Sequence, residues 1–226
     1  MEKVPEKLAI PDNTDVIVVG AGYLGRRVAQ LSCSTGAKVY ATTRRRSRMD
    51  SLNRSGFVPI QFDWTDRRTF RNLPWNNLSS DARILVAVSY DRFSGLGRDE
   101  FLVGGLANLL RESAKDARIC YISTTGVYHQ TDGSWVDETS PTRPSREAGR
   151  VHLRAETLLH KLCPFQRWTI LRLAGIYGPD RIPRAADVIA GRAVRSQPNG
   201  FLNLIHVSDA ASAVLAAWEE MRRWTG

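Results

Sequence analysis

Cysteine and lysine are both scarce in this 226-residue chain, and each scarcity excludes something. The three cysteines, Cys33, Cys120 and Cys163, are odd in number and widely spaced, with no CxxC and no paired histidines nearby. A disulfide framework and a zinc site are therefore excluded, and the expected state is buried thiols in a reducing cytosol. Lysine occurs only at Lys3, Lys7, Lys38, Lys115 and Lys161, so the net charge of +9 comes almost wholly from arginine. Those arginines run along the whole chain and are not gathered into one stripe, which argues against nucleic acid as the partner. The N-terminal segment Met1–Asp15 lacks any apolar stretch of signal-peptide or membrane-span length, so a soluble cytoplasmic protein with no membrane contact is expected. No internal repeat or low-complexity segment interrupts the pattern.

What is present is an alternation of strand and helix signals, the pattern of parallel strands joined by helical crossovers. Asp15–Val19 is a continuous β-branched run suited to a central strand buried on both faces. Leu24, Val28 and Leu31 give a helix that stops at Gly36, followed by a strand over Lys38–Thr43. A short polar helix is expected near Arg48–Arg54, with strands over Val58–Phe62, Arg83–Ser89, Ala117–Ser123 and Trp168–Leu173. Two longer helices carry Leu102, Leu106, Leu109 and Leu110, then Val151, Ala155, Leu158, Leu159 and Leu162. Leu202–His206 reads as a seventh strand, and a last helix begins after Ser208 as N-cap. The fold class is thus α/β, a doubly wound parallel sheet over one domain spanning residues 1–226.

The first strand runs into Gly20-Ala21-Gly22-Tyr23-Leu24-Gly25, and the helix follows at once. In that context Gly20 permits a tight turn, Gly22 lets backbone approach a pyrophosphate, and Gly25 allows close helix–strand packing. The helix start at Tyr23 and Leu24 offers N–H groups and partial positive charge to the anion. About 20 residues beyond such a turn, NAD sites place a carboxylate and NADP sites an arginine. Here the segment is Thr42-Thr43-Arg44-Arg45-Arg46, so NADP is expected over NAD. Arg44 pairs with the 2′-phosphate, both threonine hydroxyls donate to it, and Arg45 and Arg46 face water.

Together with that turn, Asp63, Ile122-Ser123-Thr124-Thr125-Gly126-Val127-Tyr128, Gly133-Ser134-Trp135-Val136-Asp137-Glu138, Arg172–Pro179 and Ile205-His206-Val207-Ser208-Asp209 make the chain resemble a known group. It is similar to the atypical and extended short-chain dehydrogenase/reductase superfamily, in its NAD(P)-dependent epimerase/dehydratase-like branch. The resemblance implies that Asp63 lies near the adenine, Ser89 near the cofactor ribose, and Thr124 where the family places its substrate-orienting hydroxyl. It also implies that residues 177–205 contribute a partial substrate lobe, shortened because the chain stops soon after Asp209.

The family's YxxxK pair falls at Ala148 and His152, so both the tyrosine and the lysine are missing. No lysine stands between Lys115 and Lys161, and no tyrosine between Tyr128 and Tyr177, to replace them by a register shift. Hydride chemistry at a carbinol needs a proton partner, and a tyrosine serves when a cation stands near it. Two substitutes are open, Tyr128 at the mouth of the fifth strand and His152, whose ordinary titration range suits acid/base work. Two functions stay open as well. One is an NADP-dependent oxidoreductase or epimerase-like enzyme for a nucleotide sugar or other small polar substrate, and the other is a catalytically silent NADP-binding protein.

Overall fold

The computed structural model describes residues 13–130, 132–193 and 200–223. Most of the N-terminal segment Met1–Asp15, and residues 194–199 of the expected lobe, lie outside the described residues. Six strands, β1 (Asp15–Val19), β2 (Lys38–Thr43), β3 (Val58–Gln61), β4 (Arg83–Val86), β5 (Arg118–Thr124) and β6 (Trp168–Leu173), form one sheet in the order β3-β2-β1-β4-β5-β6. Every pairing in it is parallel. This is the strand order of a doubly wound Rossmann sheet, in which ligands bind beyond the carboxyl ends of the strands where the order reverses, here between β1 and β4.

The helices are α1 (Tyr23–Ser34), α2 (Met49–Arg54), α3 (Gly105–Glu112), α4 (Glu147–Leu162), α5 (Ala185–Ile189) and α6 (Val207–Arg223). Period-two alternation divides the strand side chains between two cores. Ile17, Val19, Ile84, Val86, Ile119 and Tyr121 face Leu106, Leu109, Val151, Ala155 and Leu159 of α3 and α4. Val16, Val18, Val39, Leu85 and Cys120 face Leu24, Val28, Val214 and Trp218 of α1 and α6. Hence β1 from Val16 and β4 from Ile84 read as unbroken apolar runs, because neither face meets water.

Several boundaries differ from the sequence expectation. Strand β4 stops at Val86 rather than Ser89: Ala87 donates to the Val19 carbonyl at 2.9 Å, and the chain then turns to line a cleft. A three-residue strand not expected from sequence, β7 (Gly175–Tyr177), pairs in parallel with β8 (Leu204–His206) in a separate two-stranded sheet. Three residues carry no periodicity of their own, and only the partner strand defines them. The last helix begins at Val207, so Ser208 is not its N-cap but lies in its first turn, where its hydroxyl accepts from Arg27 at 3.1 Å. Ahead of α3, Glu100–Gly104 winds as a π-helix. Leu162 ends the α4 stripe exposed rather than buried. Cys120 and Cys163 are buried as expected, whereas Cys33 is only half-buried. Among the described residues no helix is long and apolar enough to cross a membrane.

Candidate functional site

The turn after β1 is built almost entirely from backbone. Gly20 has φ +95°, and a Cβ on it would lie 2.6 Å from the Ala87 carbonyl oxygen, so both conformation and space demand glycine. Gly25 is equally constrained, since a Cβ there would meet the Gly20 oxygen at 2.2 Å. Gly22 is different: nothing lies within 4 Å of the position its Cβ would take. The open space sits over the start of α1, whose first N–H groups have no partner within the helix. That space is a cradle fitting a pyrophosphate. The turn is held from β2, because the Thr42 hydroxyl accepts from the Gly20 N–H at 2.9 Å and the Thr42 carbonyl from the Ala21 N–H at 3.2 Å. Leu24 contributes only backbone here, its side chain being buried in the core. Tyr23 reaches across and donates to the Pro179 carbonyl at 2.8 Å, tying α1 to the segment after β7.

Beside this turn lies a cleft of about 280 Å³. That is close to the roughly 300 Å³ lower bound for small-molecule sites and suits one half of a dinucleotide. Gly20, Ala21 and Gly22 of the turn line it. Thr43, Arg44, Arg45 and Arg48 wall it on the β2 side, Val88 and Ser89 on the β4 side, and Phe62, Trp64 and Phe101 supply apolar surface. Ser89 is exposed there, where a ribose is expected. Both threonine hydroxyl oxygens accept a local hydrogen bond. Thr42 faces the Gly20 N–H, and Thr43 accepts from the Arg45 N–H at 3.2 Å. Asp63 stands between two cleft residues, but its carboxylate closes a local turn by accepting from the Thr65 N–H at 2.9 Å and hydroxyl at 2.6 Å. Arg48 was not singled out by sequence. It donates to the Ala21 carbonyl at 3.3 Å and so lies directly over the glycine turn. Arg44 is ion-paired with Asp91 and its guanidinium lies 5.3 Å from the Phe101 ring centroid.

The expected proton-handling residues gather at β5, α4 and β6. Thr124 ends β5, and its hydroxyl oxygen accepts from the Gly126 N–H at 3.0 Å, which leaves its own hydrogen free. Tyr128 follows one short 3₁₀ turn later, and Arg172 donates to its hydroxyl oxygen at 3.0 Å. Arg172 and Ser123 are register neighbours on β6 and β5, so both point toward α4. There the nearly buried Glu156 carboxylate accepts from Ser123 at 2.6 Å and from Arg172 at 2.8 Å. The carboxylate holds the arginine still more firmly charged than usual, its hydrogen bond outweighing the burial that opposes it. One helical turn before Glu156, His152 faces Tyr121, two residues before Ser123, at 3.2 Å between its Nδ1 and the phenol oxygen. Burial pushes His152 down from its ordinary value, and pushes the Tyr121 phenol up. Neither Glu156 nor the role of Arg172 as a partner of Tyr128 was singled out by sequence. The one available signal was the i, i+4 spacing of His152 and Glu156 opposite the i, i+2 spacing of Tyr121 and Ser123.

Comparisons with known proteins bear on the fold and the family. A structure of a functionally unknown conserved protein from Silicibacter pomeroyi is 26% identical with a TM-score of 0.69, the alignment covering 92% of this chain and 68% of that one. The UDP-glucose-4-epimerase of Stenotrophomonas maltophila, solved with bound NAD and formylated UDP-arabinopyranose, is 21% identical with a TM-score of 0.74, covering 94% and 75%. The ADP-L-glycero-D-manno-heptose-6-epimerase of Helicobacter pylori is 19% identical with a TM-score of 0.73, covering 97% and 76%. The last two likenesses, at such identity, speak to the fold alone. No curated protein matches the sequence. The model of the NAD dependent epimerase/dehydratase family matches residues 16–225, nearly the whole chain. With the strand order and the open cradle over Gly22, that match means that the chain belongs to the NAD dependent epimerase/dehydratase family.

Proposed function

We propose that this protein binds NADP in preference to NAD. We further propose that it acts as an oxidoreductase or epimerase/dehydratase on a nucleotide sugar or another small polar carbonyl or carbinol substrate. In this reading residues 1–226 act as one dinucleotide-binding domain, and residues 177–205 contribute part of the substrate lobe. The observation that carries it is the cleft: an open cradle over Gly22, walled by Arg44, Arg45 and Arg48, with no carboxylate at the end of β2. The nucleotide-sugar class is the one bound by the Stenotrophomonas protein, which shares this fold and was solved with formylated UDP-arabinopyranose.

A dinucleotide held over Gly22 and beside Arg44 would supply hydride chemistry at a substrate carbon. The chain supplies the proton. Because Arg172 donates into the Tyr128 oxygen, that phenol's own hydrogen is left to be given elsewhere. Arg172 thus puts a cation beside a phenol, as the family's missing lysine would. Thr124, with its oxygen already occupied by the Gly126 N–H, has its hydrogen free for a substrate oxygen. His152 is the second candidate, with Nδ1 committed to Tyr121. That commitment favours the alternative of a silent NADP-binding protein, since the family's lysine position holds a half-buried imidazole turned to the core.

Titration of the purified chain with NADPH and NADH tests the cofactor, and tighter NADPH binding is expected. Tyr128→Phe and His152→Ala are then assayed with NADPH over a panel of carbonyls and nucleotide sugars. Loss of the true proton donor costs about 10²–10⁴-fold. Rapid wild-type turnover matched by both variants would reject both donors. Tight NADPH binding with no turnover on any substrate would select the silent protein.

A further inference from the structure

One of the arginines lining the cleft, Arg44, already holds an anion. Asp91 lies in the loop after β4, and Arg44 follows β2, so their ion pair bridges the two strands that flank β1 and its glycine turn. The pair is partly open to water, with side-chain exposures of 36% for Arg44 and 26% for Asp91. Asp91 does not depend on Arg44 for its position. Its other carboxylate oxygen accepts from the Phe93 N–H at 2.9 Å, and its carbonyl accepts from the Ser94 N–H at 3.1 Å. Tyr90 donates to the Leu96 carbonyl at 2.9 Å across the same loop. Arg45 adds its charge to the field at Asp91, and the carboxyl is held below its usual range, first by the Phe93 N–H and then by Arg44. A fixed carboxylate therefore occupies the guanidinium that a 2′-phosphate would need.

We propose that Asp91 is a built-in competitor for the cofactor's 2′-phosphate, holding Arg44 until a 2′-phosphorylated nucleotide displaces it. Asp91 thereby sets how strongly the cleft prefers NADP over NAD. The inference rests on the reading of this cleft as the adenosine end of an NADP site. A phosphomonoester carries about −1.5 to −2 charge near neutrality against −1 for a carboxylate, so it wins Arg44 but must also repel Asp91. A nucleotide with a bare 2′-hydroxyl leaves the pair closed. Asp91 thus weakens NADP binding and is neutral toward NAD.

The test uses the full chain, with Asp91→Asn as the main variant because its side-chain oxygen can still accept from Phe93, and Asp91→Ala as the second. Wild type and both variants are titrated with NADPH, NADH and 2′,5′-ADP, at low and at high salt. NADPH and 2′,5′-ADP are expected to bind roughly two- to fivefold more tightly to the variants, the scale of one exposed ion pair. NADH should be unmoved, and the gain should shrink at about 1 M salt, where the Debye length is about 3 Å. Unchanged or weakened binding of both 2′-phosphorylated probes overturns the proposal. So does a loss confined to NADH, which would assign Asp91 to the ribose 2′-hydroxyl. A wild type that favours NADH would count against the NADP reading, whereas a variant gain in 2′,5′-ADP binding is measured against wild type and stands apart from it.

Discussion

At the β1–α1 turn the chemistry is arranged by backbone over six consecutive residues, whereas on the β5–α4–β6 face it is arranged by side chains from distant segments. Gly20, Gly22 and Gly25 matter for what they lack, and their spacing alone decides where N–H groups point. Ser123, Tyr128, Glu156 and Arg172 are linked by hydrogen bonds across 16 to 44 residues of chain. The first region tolerates no extra atom on its structural glycines but asks little of the side chains around it. The second is a connected polar network in which every member depends on the others. Cofactor binding and proton handling in this protein should therefore fail in different ways.

The sharpest break would come from the glycines. Gly25→Val should cost more than about 3 kcal/mol or prevent folding, because backbone occupies the space its Cβ needs. Gly22→Val should fold with a melting temperature close to wild type, yet lose measurable NADPH binding. If Gly22→Val unfolds or binds normally, the cradle is not where the backbone argument puts it. On the other face, Glu156→Ala strips Arg172 of its buried partner and should cost about 3 kcal/mol, read as a loss in urea or thermal unfolding. A near-neutral result would mean that the network is not coupled.

A smaller effect separates the two arginine sites. Arg44→Ala should weaken NADPH about tenfold and NADH little, the lower end of a charge-assisted hydrogen bond, since Arg44 already serves Asp91. Isothermal titration distinguishes this from a general loss of affinity. The smallest effect is in the pH dependence of stability. Burial holds His152 below its ordinary 6.5, so the unfolded chain binds its proton first and stability falls as pH drops through that value. The loss should set in as pH falls below about 6.5, and His152→Gln should flatten that part of the thermal-melting profile. A wild-type profile identical to the variant's would show that His152 is not desolvated.

The doubly wound parallel class was legible from the sequence, because Val16–Val19 and Ile84–Val86 are buried on both faces and show it as apolar runs, whereas the strand order came only with the pairing. Gly20–Gly25 was legible for the same local reason. The ends of elements were less so: Ala87 and Val88 continue the apolar pattern of β4, but with Ser89 they leave the sheet to line the cleft. Strand β7 left no trace in sequence, since only pairing with β8, across nearly 30 residues of chain, makes it a strand.

Within the site the same division holds. Residue order alone fixed the glycine turn, the arginines after β2 and the missing YxxxK pair, because each is a matter of which residue stands at a set distance along the chain. Tertiary structure alone decided that Arg48 lies over the turn, that Asp91 holds Arg44, and that Arg172 reaches Tyr128 from Glu156. These contacts join segments whose separation carries no periodic signal, and an arginine side chain is long and flexible enough to find any of several partners. Only the parallel register of β5 with β6, and the approach of the loops beyond β2 and β4 on either side of β1, selects which charge meets which.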